Sequence, residues 1–189
     1  MDTDKIIENL KKRGFEAVFA ANKAEAVEKA LAFIPEGSTV SWGGSVSVEE
    51  SGLLASVKSG NYKVIDRDTA KSPEERTELM RKAFFADTFL TSFNAVSEDG
   101  VLYNIDGNGN RVAAITFGPA SVVALVGINK IVPTEADLES RALKIAAPLN
   151  AKRLKLANEQ DICAIFVKTR ICKNKGRIKI VLVGEELGY

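Results

Sequence analysis

Short apolar runs alternate along this chain with amphipathic stretches, the strand and helix rhythm of an α/β protein. Ile6, Ile7 and Leu10 recur at helical spacing with Gly14 placed to close the helix, and residues 16–19 follow as a strand. Asn22 with Glu25 forms an N-cap and its acidic partner, opening a helix that carries Ala26, Ala30 and Phe33 on one side and stops at Pro35. Residues 39–42 read as the next strand, and Ser47 with Glu50 as the capping box of a helix ending at Gly60. Residues 62–65 are a further strand, after which Ser72 caps a helix with Pro73 at its first position, running to about Ala86.

Residues 88–92 predict a strand, and residues 94–97 and 101–104 flank Glu98-Asp99-Gly100 as a hairpin with a three-residue turn. A short helix after Asn110 is closed by Gly118-Pro119, and residues 122–126 are a continuous apolar strand of the buried parallel kind. Thr134 caps a helix carrying Leu138, Ala142 and Ile145, which meets Pro148 and resumes through Leu156. Residues 162–167 read as a strand and residues 177–183 as the last one. Between them, five Lys or Arg in residues 168–177, without interleaved aromatics, predict a solvated loop rather than a polyanion site. The expectation is one α/β domain over residues 1–189 with a largely parallel central sheet.

In such folds ligands bind outside the carboxyl ends of the strands, so the loops there hold the candidate chemistry. The run Asn104-Ile-Asp-Gly-Asn-Gly-Asn-Arg111 lies at a strand-to-helix junction. Gly107 and Gly109 let backbone approach a ligand, Asn104 and Asn110 offer amides, and Arg111 can pair with carboxylate or phosphate. A tight turn would use the same Asn, Asp and Gly residues. Asp106-x-Asn108-x-Asn110 begins like a calcium loop, but Arg111 replaces the required Gly and Phe117 stands where a bidentate Glu is needed. A dinucleotide fingerprint fails as well, because Val112 occupies the third glycine position. The second candidate is Trp42-Gly43-Gly44-Ser45, where adjacent glycines ahead of a helix can bring backbone donors and the Ser45 hydroxyl to an anion, with Trp42 as core or wall. Asn94, Asn129 and Lys130 complete the ligand set; Lys130 lies at the carboxyl end of the 122–126 strand and is a catalytic or anion-holding candidate. Glu98, Asp99 and Asp106 are the candidate bases.

Composition narrows the chemistry. The 46% hydrophobic and 27% charged residues are ordinary globular values, and a net charge of +1 argues against nucleic acid or a membrane surface as partner. Neither a signal peptide nor a spanning segment is visible, which predicts a cytoplasmic protein. With no histidine in the chain, the usual general base and every imidazole metal ligand are missing, leaving carboxylate, Lys, Tyr or Cys for proton transfer. Cys163 and Cys172 lack paired metal-site spacing and read as two buried thiols, so no metal is expected.

Taken in order, Ser41-Trp-Gly-Gly-Ser45, Asn94-Ala-Val-x-Glu-Asp-Gly100, Asn104-Ile-Asp-Gly-x-Gly-Asn-Arg-Val112, Phe117-Gly-Pro119, Val126-Gly-x-Asn-Lys-Ile-Val-Pro133 and Ala147-Pro-Leu-Asn-Ala-Lys-Arg-Leu154 resemble the LUD-domain family, whose members include lactate utilisation protein C. The resemblance covers nearly the whole chain, closing with Gly184-Glu-Glu-Leu-Gly-Tyr189. It implies a sandwich like that of the NagB, ribose-phosphate isomerase (RpiA) and CoA-transferase group. It also implies a part in oxidising L-lactate to pyruvate beside iron–sulfur partner proteins, with no cofactor bound by this chain itself. Relatives that carry a cysteine-rich insertion before the last strand differ from this chain, which keeps only Cys163 and Cys172. Three readings stay open: an accessory or subunit of lactate oxidation that binds a small anion, a stand-alone enzyme on a sugar phosphate or acyl-CoA, and a non-catalytic interaction module. Association into a homo-oligomer is compatible with each.

Overall fold

The computed structural model describes residues 1–189, with the side chains of Glu159 and Gln160 outside the description. The chain begins with α1 (Thr3–Lys12), whose N-cap Asp2 accepts from the Lys5 N–H, and then forms β1 (Glu16–Ala20). Asn22 caps α2 (Lys23–Ala32), which leads to β2 (Thr39–Trp42). The helix expected from Ser47 to Gly60 is two pieces, α3 (Val46–Glu50) and α4 (Leu53–Ser59). Gly52, at φ +87°, breaks the run, and the cap of α3 is Ser45 rather than Ser47.

Next come β3 (Lys63–Ile65), α5 (Pro73–Lys82) capped by Ser72, and β4 (Thr88–Thr91). The expected hairpin is present as β5 (Ala95–Ser97) and β6 (Leu102–Asp106), paired antiparallel through Ala95 with Tyr103 and Val96 with Leu102. It is followed by α6 (Asn110–Phe117), β7 (Ser121–Gly127), a single 3-10 turn, and the two-residue β8 (Ile131–Val132), which sequence periodicity is too short to show. Helix α7 (Asp137–Arg141) starts three residues later than its expected cap, because the Asp137 carboxylate accepts both the backbone and hydroxyl hydrogens of Thr134. It continues through a π-helical segment, Ala142–Ala146, into α8 (Ala147–Leu154). That widened turn accommodates Pro148, which has no N–H to give, and the helix carries on past it as expected. The last strands are β9 (Ile165–Thr169), shifted toward the basic run, and β10 (Ile178–Val183).

Six strands form a wholly parallel sheet in the order β1-β10-β7-β4-β2-β3. Because β7 and β10 are central, successive side chains feed opposite faces. Val122, Ala124, Val126, Ile178, Ile180 and Leu182 pack with Ile6, Leu10, Phe89, Phe93 and Ile115 on one face. Val123, Leu125, Val181 and Val183 pack with Ala26, Ala30, Trp42, Val48, Leu53 and Val57 on the other. A second sheet, β8-β5-β6-β9, lies over the first core: Val96 and Leu102 join that core, while Ala95, Tyr103 and Ile105 face Leu138 and Ala142. The α/β class and its largely parallel sheet are as the sequence predicts.

The basic segment is mostly exposed, as expected, but it is tied to the fold at several points. Lys168 and Arg170 pair with Glu135 at 3.1 and 3.6 Å, and Arg177 donates to the carbonyls of Ala114, Ile115 and Pro119, closing the C-terminal end of α6. Cys172 is buried, but Cys163 is only half-buried; neither is in a disulfide. No helix among the described residues is long and apolar enough to cross a membrane. Gly14 joins α1 to the 172–176 loop: its φ is +84°, and a Cβ there would lie 2.5 Å from the Cys172 carbonyl oxygen. Gly14→Ala is therefore expected to destabilise the fold by about 1–3 kcal/mol, from backbone strain and the displaced carbonyl together, read as a lower denaturant midpoint at unchanged slope. An unchanged midpoint would contradict that contact.

Candidate functional site

The parallel sheet sends three loops to one edge: Gly43–Ser45 after β2, Ser92–Asn94 after β4, and the 3-10 turn Ile128–Lys130 after β7. The loop after β6, residues 107–109, meets them from the second sheet. Together with Arg67, Arg76 and Met80 from the region after β3, and Asn150 and Arg153 of α8, they enclose a cavity of about 360 Å³. Gly44, Ser45, Asn94, Asp106, Gly107, Asn110, Arg111 and Lys130 all line it. The two segments singled out in the sequence, residues 43–45 and 104–111, thus converge at one place.

Arg111 is the hub of that convergence, and its donors are already engaged. Nη1 donates to the Asn104 side-chain oxygen at 2.7 Å and the Ser92 carbonyl at 3.3 Å; Nη2 donates to the Ile105 carbonyl at 2.5 Å and the Asn94 side-chain oxygen at 3.1 Å. Asp106 stands 3.8 Å from its Nε and also accepts the Val112 N–H, serving as the cap that Gly109 cannot supply to α6. Burial lowers the proton affinity of this guanidinium, Asp106 restores part of it, and Arg67 lowers it again. Arg111 shapes the pocket and leaves little of its fork free for a ligand. Gly43 is placed against it: a Cβ there would come 3.0 Å from the Arg111 Cδ.

Several expected site residues stand elsewhere. Glu98 and Asp99 sit at the tip of the hairpin, away from the cavity; Asp99 pairs with Arg13 at 2.6 Å and accepts the Ser97 hydroxyl, while the Glu98 carbonyl accepts from Asn9. Neither carboxylate can serve as base in this pocket. Trp42 is buried in the core with Lys58 5.1 Å over its ring. Asn129 does not line the cavity but holds the C-terminal segment, donating to the Gly188 carbonyl and accepting from the Leu187 N–H. Asn104 lies buried beneath, bound to Arg111, and Gly109 packs on Ile165, where a Cβ would come within 2.7 Å of that side chain. Gly107 approaches backbone instead, with the Asp161 carbonyl 2.9 Å from a Cβ placed there. Among the described residues there is no cluster of three or more His, Cys, Asp or Glu able to hold a metal ion.

Sequence reasoning missed the strongest electrostatic feature. Arg67, Arg76 and Arg153 join Arg111 and Lys130 in the cavity wall, against the carboxylates of Asp106 and Asp161. Arg67 is 16% exposed; its buried Nε has no hydrogen-bond partner, and Nη1 reaches only the Met80 sulfur at 3.7 Å. The Asp68 carboxylate is at 4.0 Å from Arg67 but bonds Arg76 at 2.8 Å. Burial, then Arg76, lower the proton affinity of Arg67; Asp68 and Asp106 oppose them, and Arg153 lowers it further. Its Nη2 hangs over Gly44, 2.9 Å from where a Cβ would be, with the Arg153 Nη2 at 3.8 Å from the same point. The space left by that glycine is therefore filled by guanidinium. Arg153 is steadied by Tyr189 at 2.7 Å and Asn150 at 2.9 Å.

Lys130 is buried on the floor, its Nζ donating to Ser47 Oγ at 2.7 Å and Ser92 Oγ at 3.0 Å. Burial, then the nearby Arg141 and Arg111, bring its pKa down to about 7, with Glu50 opposing.

A two-sheet α/β protein with a cationic pocket at its strand ends is the class that fold and site define. The chain belongs to the LUD-domain family, whose model matches residues 3–183, and at the level of that family it is a lactate-utilisation-type protein. A DUF162 family protein from Deinococcus radiodurans shares the fold at a TM-score of 0.60 and 14% identity, covering 97% of this chain and 98% of that one. Lower likenesses are to ribose 5-phosphate isomerase A from Methanocaldococcus jannaschii (TM-score 0.38, 16% identity, 68% of this chain and 66% of that) and eIF2B delta from Chaetomium thermophilum (0.45, 15%, 94% and 59%). At those scores the likeness carries no functional argument. No curated protein is similar enough to count as a relative.

The depressed pKa of Lys130 has a stability signature. The folded state releases the proton near pH 7 while the unfolded chain holds it to about 10.5, so between those values the unfolded state binds more protons and stability rises with pH. Relative to Lys130→Met, the wild type is expected to gain about 1.4 kcal/mol per pH unit across that window, measured by denaturant unfolding. Parallel pH profiles for the two proteins would show that Lys130 stays charged.

Proposed function

We propose that the pocket binds a small organic anion carrying a phosphate or carboxylate group, and that the protein acts in the oxidation of L-lactate to pyruvate as an accessory or subunit. The observation that supports this best is Arg67: a largely buried guanidinium whose Nε has no hydrogen-bond partner, set beside Arg76 and Arg153 and sharing its nearest carboxylate, Asp68 at 4.0 Å, with Arg76. Burying like charges together is unfavourable unless something compensates, and an anion in the cavity supplies the missing partner. Arginine forks favour planar or tetrahedral oxyanions that accept two hydrogen bonds at once. A cavity of about 360 Å³ also falls within the range of small-ligand sites, roughly 300–1,000 Å³, and leaves room for more than a three-carbon acid.

A second reading, a stand-alone enzyme acting on a sugar phosphate or acyl-CoA, draws support from Lys130, since an amine titrating near neutrality can take part in proton or bond transfer. In that case Asp106 is the remaining carboxylate of the expected bases within the pocket. In the first reading, by contrast, iron–sulfur partner proteins would supply the electron transfer.

Thermal unfolding with lactate, pyruvate, ribose 5-phosphate, dihydroxyacetone phosphate and an acyl-CoA tests the binding. A ligand at 100 times its dissociation constant adds about 2.7 kcal/mol, or roughly 5 °C or more for a chain of this size. Arg153→Ala, which removes an exposed pocket cation, is expected to weaken binding about ten- to hundredfold with little change in the stability of the free protein. No stabilisation by any of these anions would overturn the anion-binding role.

A further inference from the structure

Two serine hydroxyls fix the state of Lys130. Ser92 Oγ donates to the Leu125 carbonyl at 2.7 Å, and Ser47 Oγ donates to the Leu187 carbonyl at 3.1 Å. Each hydroxyl has one hydrogen, and a carbonyl can only accept, so both serines are left offering lone pairs to Lys130 Nζ. A neutral amine has two hydrogens and one lone pair. Its hydrogens match the two serine oxygens at 2.7 and 3.0 Å, and tetrahedral geometry turns the lone pair away from both. An ammonium would carry a third hydrogen that neither serine accepts, in surroundings where Arg141 and Arg111 repel it and Glu50 attracts it. Glu50 is itself engaged, accepting the Gly188 N–H at 2.9 Å.

We propose that Lys130 is a nucleophilic amine that forms an imine with the carbonyl carbon of a small anionic oxo compound, a 2-oxo acid or a phosphorylated ketone, held by the arginines of the same pocket. The Nζ lone pair forms the C–N bond as the carbonyl π pair moves to oxygen, which takes one Nζ proton and gives a carbinolamine. The C–O bond then breaks, and the hydroxyl leaves with the second Nζ proton as water. Ser47 and Ser92, fixed by their bonds to backbone, hold the amine in place while its hydrogens are consumed. Burial among cations keeps the lone pair available near neutral pH, as imine-forming lysines require. The proposal rests on the anion-binding reading of the pocket and adds a covalent step to it.

Reduction with cyanoborohydride makes the adduct permanent and visible by mass. Wild-type protein would be incubated with pyruvate or with dihydroxyacetone phosphate, reduced, digested and mapped. One adduct per chain at Lys130 is expected, from whichever compound the pocket takes, absent in Lys130→Met and forming faster as pH rises through about 7. Ordinary surface lysines would respond nearer their usual value of about 10.4. No reduced adduct at Lys130 with either compound, or labelling spread equally over wild type and Lys130→Met, overturns the proposal. Thermal shifts with the same two compounds separate the failures: stabilisation without an adduct sinks only the imine, whereas neither stabilisation nor adduct counts against the anion pocket too.

Discussion

The guanidinium of Arg111 joins the two sheets. Its four Nη hydrogen bonds run to the Ser92 carbonyl just beyond β4, to Asn94 in the link, and to Asn104 and the Ile105 carbonyl on β6. Its stem lies against Gly43 at the end of β2. Each of those backbone and amide groups is sheltered from water and would be costly to leave unmatched. One side chain therefore sets the distance between the parallel sheet and the smaller one, and with it the width of the cavity that opens at their common edge. The loops do not create the pocket independently; they are spaced by this one fork.

Around that fork the charges are unevenly matched, and the imbalance falls on a single group. Arginine keeps its proton under any ordinary condition, so crowding Arg67, Arg76, Arg111 and Arg153 around a cavity cannot be relieved by titration of any of them. Lysine can release its proton. Burial and the neighbouring Arg141 and Arg111 lower the proton affinity of Lys130, and the two serines accept hydrogens from its Nζ. The proposed anion affinity and the lowered proton affinity of Lys130 thus have one origin in the density of fixed positive charge.

Much of the fold was legible because hydrophobic period and capping chemistry are local. The strands at 39–42, 88–91 and 178–183, the Asn22 and Ser72 caps, and the hairpin around Gly100 follow from neighbours within a few residues. Where a tertiary contact competes, local reading fails. Ser47 has the look of an N-cap, but Ser45 takes that role and frees the Ser47 hydroxyl for Lys130, 83 residues away. The loop of residues 104–111 announces itself by its Asn and Gly content, whereas Arg67 and Arg153 are cations 86 residues apart, neither in a glycine-rich loop, and only the topology brings both over Gly44. The misplacement of Glu98 and Asp99 could have been avoided: Asn94 and Asn104 are at the open end of the hairpin and residues 98–100 at its closed end, so one cavity cannot hold both.

The closing segment of the chain has its own bearing on how the molecule behaves. Leu187 is buried in the core behind the parallel sheet, the Leu187 and Gly188 backbone is clasped by Ser47, Glu50 and Asn129, and the Tyr189 hydroxyl reaches Arg153. The same side chains that fasten this strap also stand beside the floor and wall of the cavity. Ser47 bonds both the strap and Lys130, so peeling the strap away and loosening the floor of the cavity are one local opening.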